Sequence, residues 1–478
     1  MSFQSYSFLL FLPLTAAACL LAGRRSRRAG EVLLLCASWL FYLGSFTAHA
    51  WAGFAVLTLS ACLTRLAVRF LGPEARHRRA VFAAAAVWQV AVLLVFKYTG
   101  FFSGGRLSLG WSPLGLSFFT FQQLWFLKEV YTGQFAPDTD GTGGFLLFSF
   151  FFPTVSSGPI LKPESFFPQL REEGFLHPAG QDAAAALYAI SMGMMKKVLL
   201  ADSLGAIVNN GYAHPEALTA PEAWLVILGY TLQLYFDFSG YCDIAAGAAR
   251  LLGIRLPVNF DSPYRSLSIG EFWKRWHITL TSFLRECVYF PLGGSRKGTA
   301  RTYLNILLIF LISGFWHGAG WTFILWGLLH GLAQVIERAL GPRRALAPKW
   351  LQWLVTFGIV NGAWVLFRAP SVGVACRMVR TALRGGMYRP GEWLFTGMLT
   401  SEREALTGIF PSLSGVLLPV LVTVLYGVGM AAAVLPGNTI RRMDRFRPTF
   451  WRAALLAAAL AWCVLSFGGK TTFIYSNF

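Results

Sequence analysis

The sequence has 478 residues, of which 55% are hydrophobic and only 13% charged, with a mean hydropathy of +0.53. Soluble chains carry roughly a quarter charged residues, so this composition excludes an ordinary water-soluble globule and fits a chain that buries apolar helices in lipid. The net charge of +19 does not point to nucleic acid, because Lys and Arg sit in short connections between apolar runs, as in the cytoplasmic loops of multi-pass proteins.

The first apolar run, about residues 8–23, has no basic stretch before it and Arg24, Arg25, Arg27 and Arg28 after it. It is therefore read as a membrane helix rather than a cleaved signal, with the N-terminus outside. Further spans are expected at about 32–49, 51–71 and 80–96, with a basic connection at residues 69–79. Two punctuated apolar stretches follow, residues 113–122 and 151–160, whose Pro and Gly predict broken or re-entrant helices packed within protein. Residues 162–182 suggest an interfacial helix around Phe166, Phe167 and Leu170. Spans are then expected at about 184–200 and 223–252, with Lys196 and Lys197 read as anchors for anionic lipid. Residues 271–294 are too charged to span and suit an interfacial or re-entrant segment. The remaining spans are expected at about 303–316, 321–336, 351–367, 411–435 and 453–467, with an amphipathic outer loop over 368–407. The total is about eleven spans plus re-entrant and interfacial pieces, in a single all-α membrane domain covering residues 1–478. Seven cysteines lie singly, without metal or disulfide spacing, and Cys242 and Cys287 read as packing residues.

Polar chemistry concentrates between Tyr235 and Leu329. Intramembrane ionisable groups are costly and mark functional sites by default. Histidine has the ordinary pKa best suited to proton transfer near neutrality. An imidazole in a dry cavity can take the proton of an attacking hydroxyl and hand it to a leaving thiol, given a polar group at the developing oxyanion. His317, among Gly314, Gly318 and Gly320, has small neighbours that let two substrates approach. His277 could orient the donor or polarise the carbonyl. Either histidine could equally be a hydrogen-bonded packing residue, and His330 reads as structural. Asp237 and Asp243 could orient a histidine, line an aqueous vestibule or form a buried polar lock. No metal site is expected, since no two histidines have a recognised ligand spacing.

Several runs carry a resemblance: Phe272-Trp273-Lys274-Arg275-Trp276-His277-Ile278-Thr279-Leu280, Pro291-Leu292-Gly293-Gly294 and Ser313-Gly314-Phe315-Trp316-His317-Gly318-Ala319. With Gly115-Leu116-Ser117-Phe118, Gly158-Pro159-Ile160, Tyr235-Phe236-Asp237-Phe238-Ser239-Gly240-Tyr241, Phe367-Arg368-Ala369 and the Phe473-Ile474-Tyr475 tail, they resemble the alginate O-acetyltransferase branch of the membrane-bound O-acyltransferase (MBOAT) superfamily. The resemblance implies a ring of transmembrane helices around a central tunnel and acetyl transfer from a cytoplasmic donor, acetyl-CoA, toward a cell-surface polysaccharide. It places catalysis on His317 with His277 assisting. Asp237, Tyr241, Asp243, Trp273, Arg275, Trp276, Ser313 and Trp316 become tunnel or supporting residues. It also implies the bacterial inner membrane as location and, because the chain contains no Ser-His-Asp domain of its own, a separate extracytoplasmic (SGNH-type) acetyltransferase partner. Cys242 departs from the serine common in that branch, and the tail ending Tyr475-Ser476-Asn477-Phe478 is less aromatic than usual. D-alanyl transfer to teichoic acids by the related branch, a transporter or flippase, and a passive scaffold are the rival readings.

Overall fold

Residue Ser26 makes the first bend. Its side chain accepts from the Ala29 amide at 3.5 Å and starts α2 (Arg27–Leu43) directly after α1 (Tyr6–Arg25), so four arginines gather at the turn. This architecture comes from a computed structural model that describes residues 1–45, 48–136, 141–386, 389–435, 437–467 and 474. Next come α3 (Ala50–Val68) and α4 (Arg78–Phe102). The stretch expected to be broken at 113–122 instead opens an intact helix, α5 (Leu116–Tyr131), buried on nearly every face. Its Pro and Gly lie ahead of the first turn. Gly115 has φ +72°, and a side chain there would strike the Val155 carbonyl at 2.0 Å, so the glycine is a starter and not a break.

The C-terminal end of α5 meets a charged cluster. Lys162 bridges Glu164 at 3.1 Å, Glu286 at 3.2 Å and Glu129 of α5 at 3.9 Å. Burial opposes the Lys162 charge, but its acidic partners outweigh that and hold its pKa above the usual range. Helix α6 (Gly141–Phe150) enters from this side, and residues 151–162 return without regular structure, as expected of a re-entrant segment. The interfacial piece is split by Pro168 into α7 (Pro163–Phe166) and a short 3-10 turn that buries Phe166, Phe167 and Leu170.

Helices α8 (Gly180–Met194) and α9 (Ser203–Ala213) form one long crossing, joined by a widened π-helical stretch at Met195–Asp202. Against it lies α10 (Ala220–Arg250), whose 31 residues rise about 46 Å. Small residues let the two approach: a Cβ on Gly193 would sit 2.6 Å from the Gly240 carbonyl, and one on Gly247 2.6 Å from that of Ala186. Close backbone approach of this kind replaces hydrophobic driving force inside a bilayer. The charged stretch after α10 folds as α11 (Ile269–Arg275), α12 (Ile278–Leu284) and a π-helical turn at 285–289. Then α13 (Thr299–His317) and α14 (Trp321–Leu340) make a tight hairpin, with Gly314 and Gly327 at the crossing. Beyond it lie α15 (Lys349–Arg368), the amphipathic α16 (Val372–Leu383), α17 (Thr400–Ile409), α18 (Ser414–Val434), α19 (Thr439–Met443) and α20 (Phe450–Leu465).

Eight helical stretches among the described residues are long and apolar enough to cross a membrane: α1, α3, α4, α8 with α9, α13, α14, α15 and α18. The longer, more polar α10 and the shorter α2, α5 and α20 complete the bundle. The protein is an all-α, multi-pass membrane protein.

Candidate active site

Both singled-out histidines are at most 2% exposed. His317 is the last residue of α13, where the chain turns extended at Gly318. Its ring is packed edge-on against Trp326 of α14 and Phe367 of α15, with ring centres 5.0 Å away in each case, and against Trp316 at 4.7 Å. His277 sits on the far side of Trp316, 6.2 Å from that indole. It joins α11 to α12 in a left-handed conformation, φ +44°. Such backbone is rare outside glycine and asparagine, and where the surroundings enforce it a functional constraint is a common cause.

The surroundings of His277 fix its protonation pattern. Asn259 Oδ1 accepts from the Thr279 backbone N–H at 3.1 Å and from the Thr279 hydroxyl at 3.0 Å, and lies 3.2 Å from His277 Nδ1. A backbone N–H can only donate, so the atom it meets is the amide oxygen of Asn259. His277 Nδ1 must then carry a hydrogen, which leaves the lone pair on Nε2. The Asn259 amide nitrogen points to Cys242 Sγ at 3.5 Å, so the cysteine that replaces serine is a packing neighbour of the support for His277. Asn259 was not singled out in the sequence, because its partners are 18 and 20 positions away in an unremarkable connection.

Two cavities lie near His317, which itself lines neither; they are called inner and outer after the rule that basic connections face the cytoplasm. The inner one holds about 420 Å³ and runs between α11, α12, α13 and α14. Trp273, Leu284, Tyr289 and Phe310 line it, with Lys274, Arg285 and Arg338 as its cations. It reaches Ser313, one helical turn below His317. The outer one holds about 800 Å³ and reaches Ala319, Gly320, Phe323 and Phe367, immediately above the histidine. Its polar wall contains Gln4, Lys197, Asp202, Asp237 and Arg368. The collar of Trp316, Trp326 and Phe367 around the His317 ring lies between them. The central tunnel expected from the resemblance is not continuous among the described residues: the two chambers are separate, and His317 is packed inside the collar and lines neither.

The other residues divide sharply. Ser313 and Trp273 line the inner chamber, and the Trp273 indole donates to His330 Nδ1 at 3.3 Å. His330 is thereby a packed, hydrogen-bonded core residue, as expected. Trp316 stands between the two histidines and donates its indole N–H to the Ser117 carbonyl at 3.3 Å. Asp237 lines the outer chamber and pairs with Lys197 at 2.7 Å, and Lys197 also meets Asp202 at 2.8 Å. Asp243 pairs with Lys196 at 2.6 Å, beside Thr439. The two lysines are therefore not lipid anchors: the widened turn carries both inward onto α10. Tyr241, Arg275 and Trp276 line neither chamber. Tyr241 holds the irregular segment 151–162 through Ser156 at 2.6 Å. Arg275 binds Glu271 at 3.0 Å and Asp261 at 3.5 Å, and Trp276 packs among Phe260, Phe272 and Trp364. Of the tail, only Ile474 is described; its N–H donates to Asp237 at 2.8 Å. Phe473 and residues 475–478 lie outside the described residues.

A buried imidazole thus lies near a largely apolar chamber with a few cations and a second chamber with a more polar wall. The family model for the membrane-bound O-acyltransferase family matches residues 143–372. A protein of Pseudomonas aeruginosa titled probable alginate O-acetylase is 37% identical over 86% of this chain and 78% of its own length.

The chain belongs to the membrane-bound O-acyltransferase family.

It is an O-acyltransferase by that membership. A peptidoglycan O-acetyltransferase of Helicobacter pylori is 38% identical over 64% of this chain and 64% of its own length, so the match leaves about a third of that relative uncovered. A teichoic acid D-alanyltransferase of Streptococcus thermophilus is more distant, at 29% identity over 55% of this chain and 65% of its own length.

Proposed function

We propose that this O-acyltransferase moves acetyl groups from acetyl-CoA on the inner side to the hydroxyls of a cell-surface polysaccharide, in the bacterial inner membrane. The single observation that supports this reading is that the immediate neighbours of His317 line two separate chambers, Ser313 the one and Ala319, Gly320 and Phe367 the other. The donor thioester enters below, past Trp273 and Ser313, with Lys274, Arg285 and Arg338 matching its phosphates in charge. A hydroxyl enters above, past Phe367. His317 takes the hydroxyl proton as the oxygen attacks the thioester carbonyl, and the proton then goes to the departing thiolate. His277, with its lone pair on Nε2, assists on the donor side. The whole chain serves as one catalytic domain. The acceptor is the polysaccharide itself or a hydroxyl on an SGNH-type extracytoplasmic partner docked over the outer chamber. The relatives titled as O-acetyltransferases are more similar than those titled as D-alanyltransferases, and that favours acetyl over D-alanyl transfer.

The test is His317→Ala, with membrane insertion and protein level confirmed. Loss of a positioned base lowers turnover by about a hundred-fold or more, so acetylated polysaccharide should vanish from mass spectra of the cell surface. Undiminished acetylation would overturn the assignment. An added amine instead of acetyl would move the protein to the D-alanyl branch, and uptake of polysaccharide without acyl turnover would favour a transporter.

A further inference from the structure

We infer that Lys97, with Tyr98 beside it, is a positioning residue for the reaction: it clamps the end of α13 and thereby sets where His317 presents its ring. The inference rests on the proposed role of His317.

Lys97 lies in the last third of α4, an otherwise apolar crossing helix. A lysine near a helix end in a bilayer normally extends its stem so that the ammonium reaches the interface. This one turns inward. Its Nζ donates to the Trp316 carbonyl at 2.5 Å and to Ser117 Oγ at 3.3 Å, and lies 5.7 Å from the centre of the Trp316 ring. Among the described residues no carboxylate pairs with it. The next side chain does the same work, since the Tyr98 hydroxyl donates to the Phe315 carbonyl and its ring stacks on Phe315 at 4.1 Å.

These two carbonyls are the ones that need partners. The last turn of a helix leaves its C=O groups without intrahelical donors, and a cation there also complements the negative end of the helix dipole. After His317 the chain leaves the helix at once, and only the Gly318 N–H turns back, to Gly314. The carbonyls of residues 315 and 316 would otherwise face apolar protein. An unmatched buried carbonyl is costly, so without the clamp the final turn would unwind toward whatever donor it could find. His317 belongs to that turn, and its ring would move with it.

The experiment uses membranes containing the full chain and measures acetyl-CoA turnover with acceptor present, alongside the melting temperature of the folded protein. Lys97→Met is expected to lower kcat on the order of ten- to a hundred-fold, the scale of a misplaced catalytic group. The KM for acetyl-CoA should stay unchanged, because the inner chamber is untouched. Lys97→Arg should recover much of kcat. Equal loss in Lys97→Met and Lys97→Arg, or an effect on KM alone, overturns the inference. If Lys97→Met does not fold, Tyr98→Phe decides: it keeps the stack and removes one donor, and wild-type kcat in that variant overturns the inference. His317→Ala is run in parallel. Activity retained there refutes the base assignment itself, whereas an inactive His317→Ala beside a fully active Lys97→Met refutes only the clamp.

Discussion

Asn259 decides the state of His277 through one oxygen that accepts from three donors. Removing it leaves the Thr279 amide, the Thr279 hydroxyl and His277 Nδ1 to find other partners in a closed interior. Each unmatched buried group costs about 1–3 kcal/mol. Asn259→Ala is therefore expected to lower the melting temperature and to reduce turnover more than its stability loss explains, since the tautomer is no longer set. Asn259→Asp keeps an acceptor and should retain more activity, and equal kcat for the two variants would count against the role. Residues of this kind are hard to see in a sequence. His317 and His277 stand out because histidine is rare in an apolar chain, whereas an asparagine between Val258 and Phe260 gives no such signal. Lys97 did give one, as a lone charge at the edge of an apolar run. A span ended at residue 96 leaves it in a loop, although α4 continues to Phe102.

At the level of elements, small and breaking residues were visible but their use was not: Gly314 and Gly318, read as room for substrates, instead let α14 and the Phe323 side chain pack close, and the Pro and Gly of 113–122 stand just outside a helix. The stretch at 113–122 shows the misplaced breakers. Breakers were visible, but their position before the first turn was not, because only the contact with Val155 fixes it. The α13–α14 hairpin shows the packing role of glycine. A Cβ on Gly314 would lie 2.4 Å from the Phe323 carbonyl, and one on Gly327 2.3 Å from that of Phe310. Neither backbone atom can rotate away, so Gly314→Ala should force the helices apart at a cost of about 1–3 kcal/mol, read as a lower melting temperature and a smaller folded fraction. The link between the π-helical stretch and α10 behaves differently. Removing one partner of a buried ion pair costs about 3–5 kcal/mol, whereas replacing both can be nearly neutral. Lys197→Met alone should destabilise strongly, and Lys197→Met with Asp237→Asn should recover part of the loss in a thermal melt.

Across the whole molecule, composition was enough for a helical membrane protein, and the motifs were enough for its family. What no periodicity could give is the division of the interior into two chambers. The inner chamber takes its walls from α11 to α14, and the outer one draws on residues from Gln4 to Ile474. Phe367 belongs to the outer wall and also touches the His317 ring. Phe367→Ala should join the outer chamber to the His317 ring, so that water reaches the thioester of the proposed donor. Acetyl-CoA hydrolysis without acceptor should rise several-fold per folded molecule, while transfer to acceptor falls. Unchanged hydrolysis would show that the side chain does not guard the ring.

The aromatic collar also bears on the membrane that carries it. A bore of several hundred cubic ångströms open at both ends would leak ions and discharge the electrochemical gradient on which a cell depends. Because Trp316, Trp326 and Phe367 close around a single imidazole, the proposed acyl transfer would proceed while the membrane stays electrically tight.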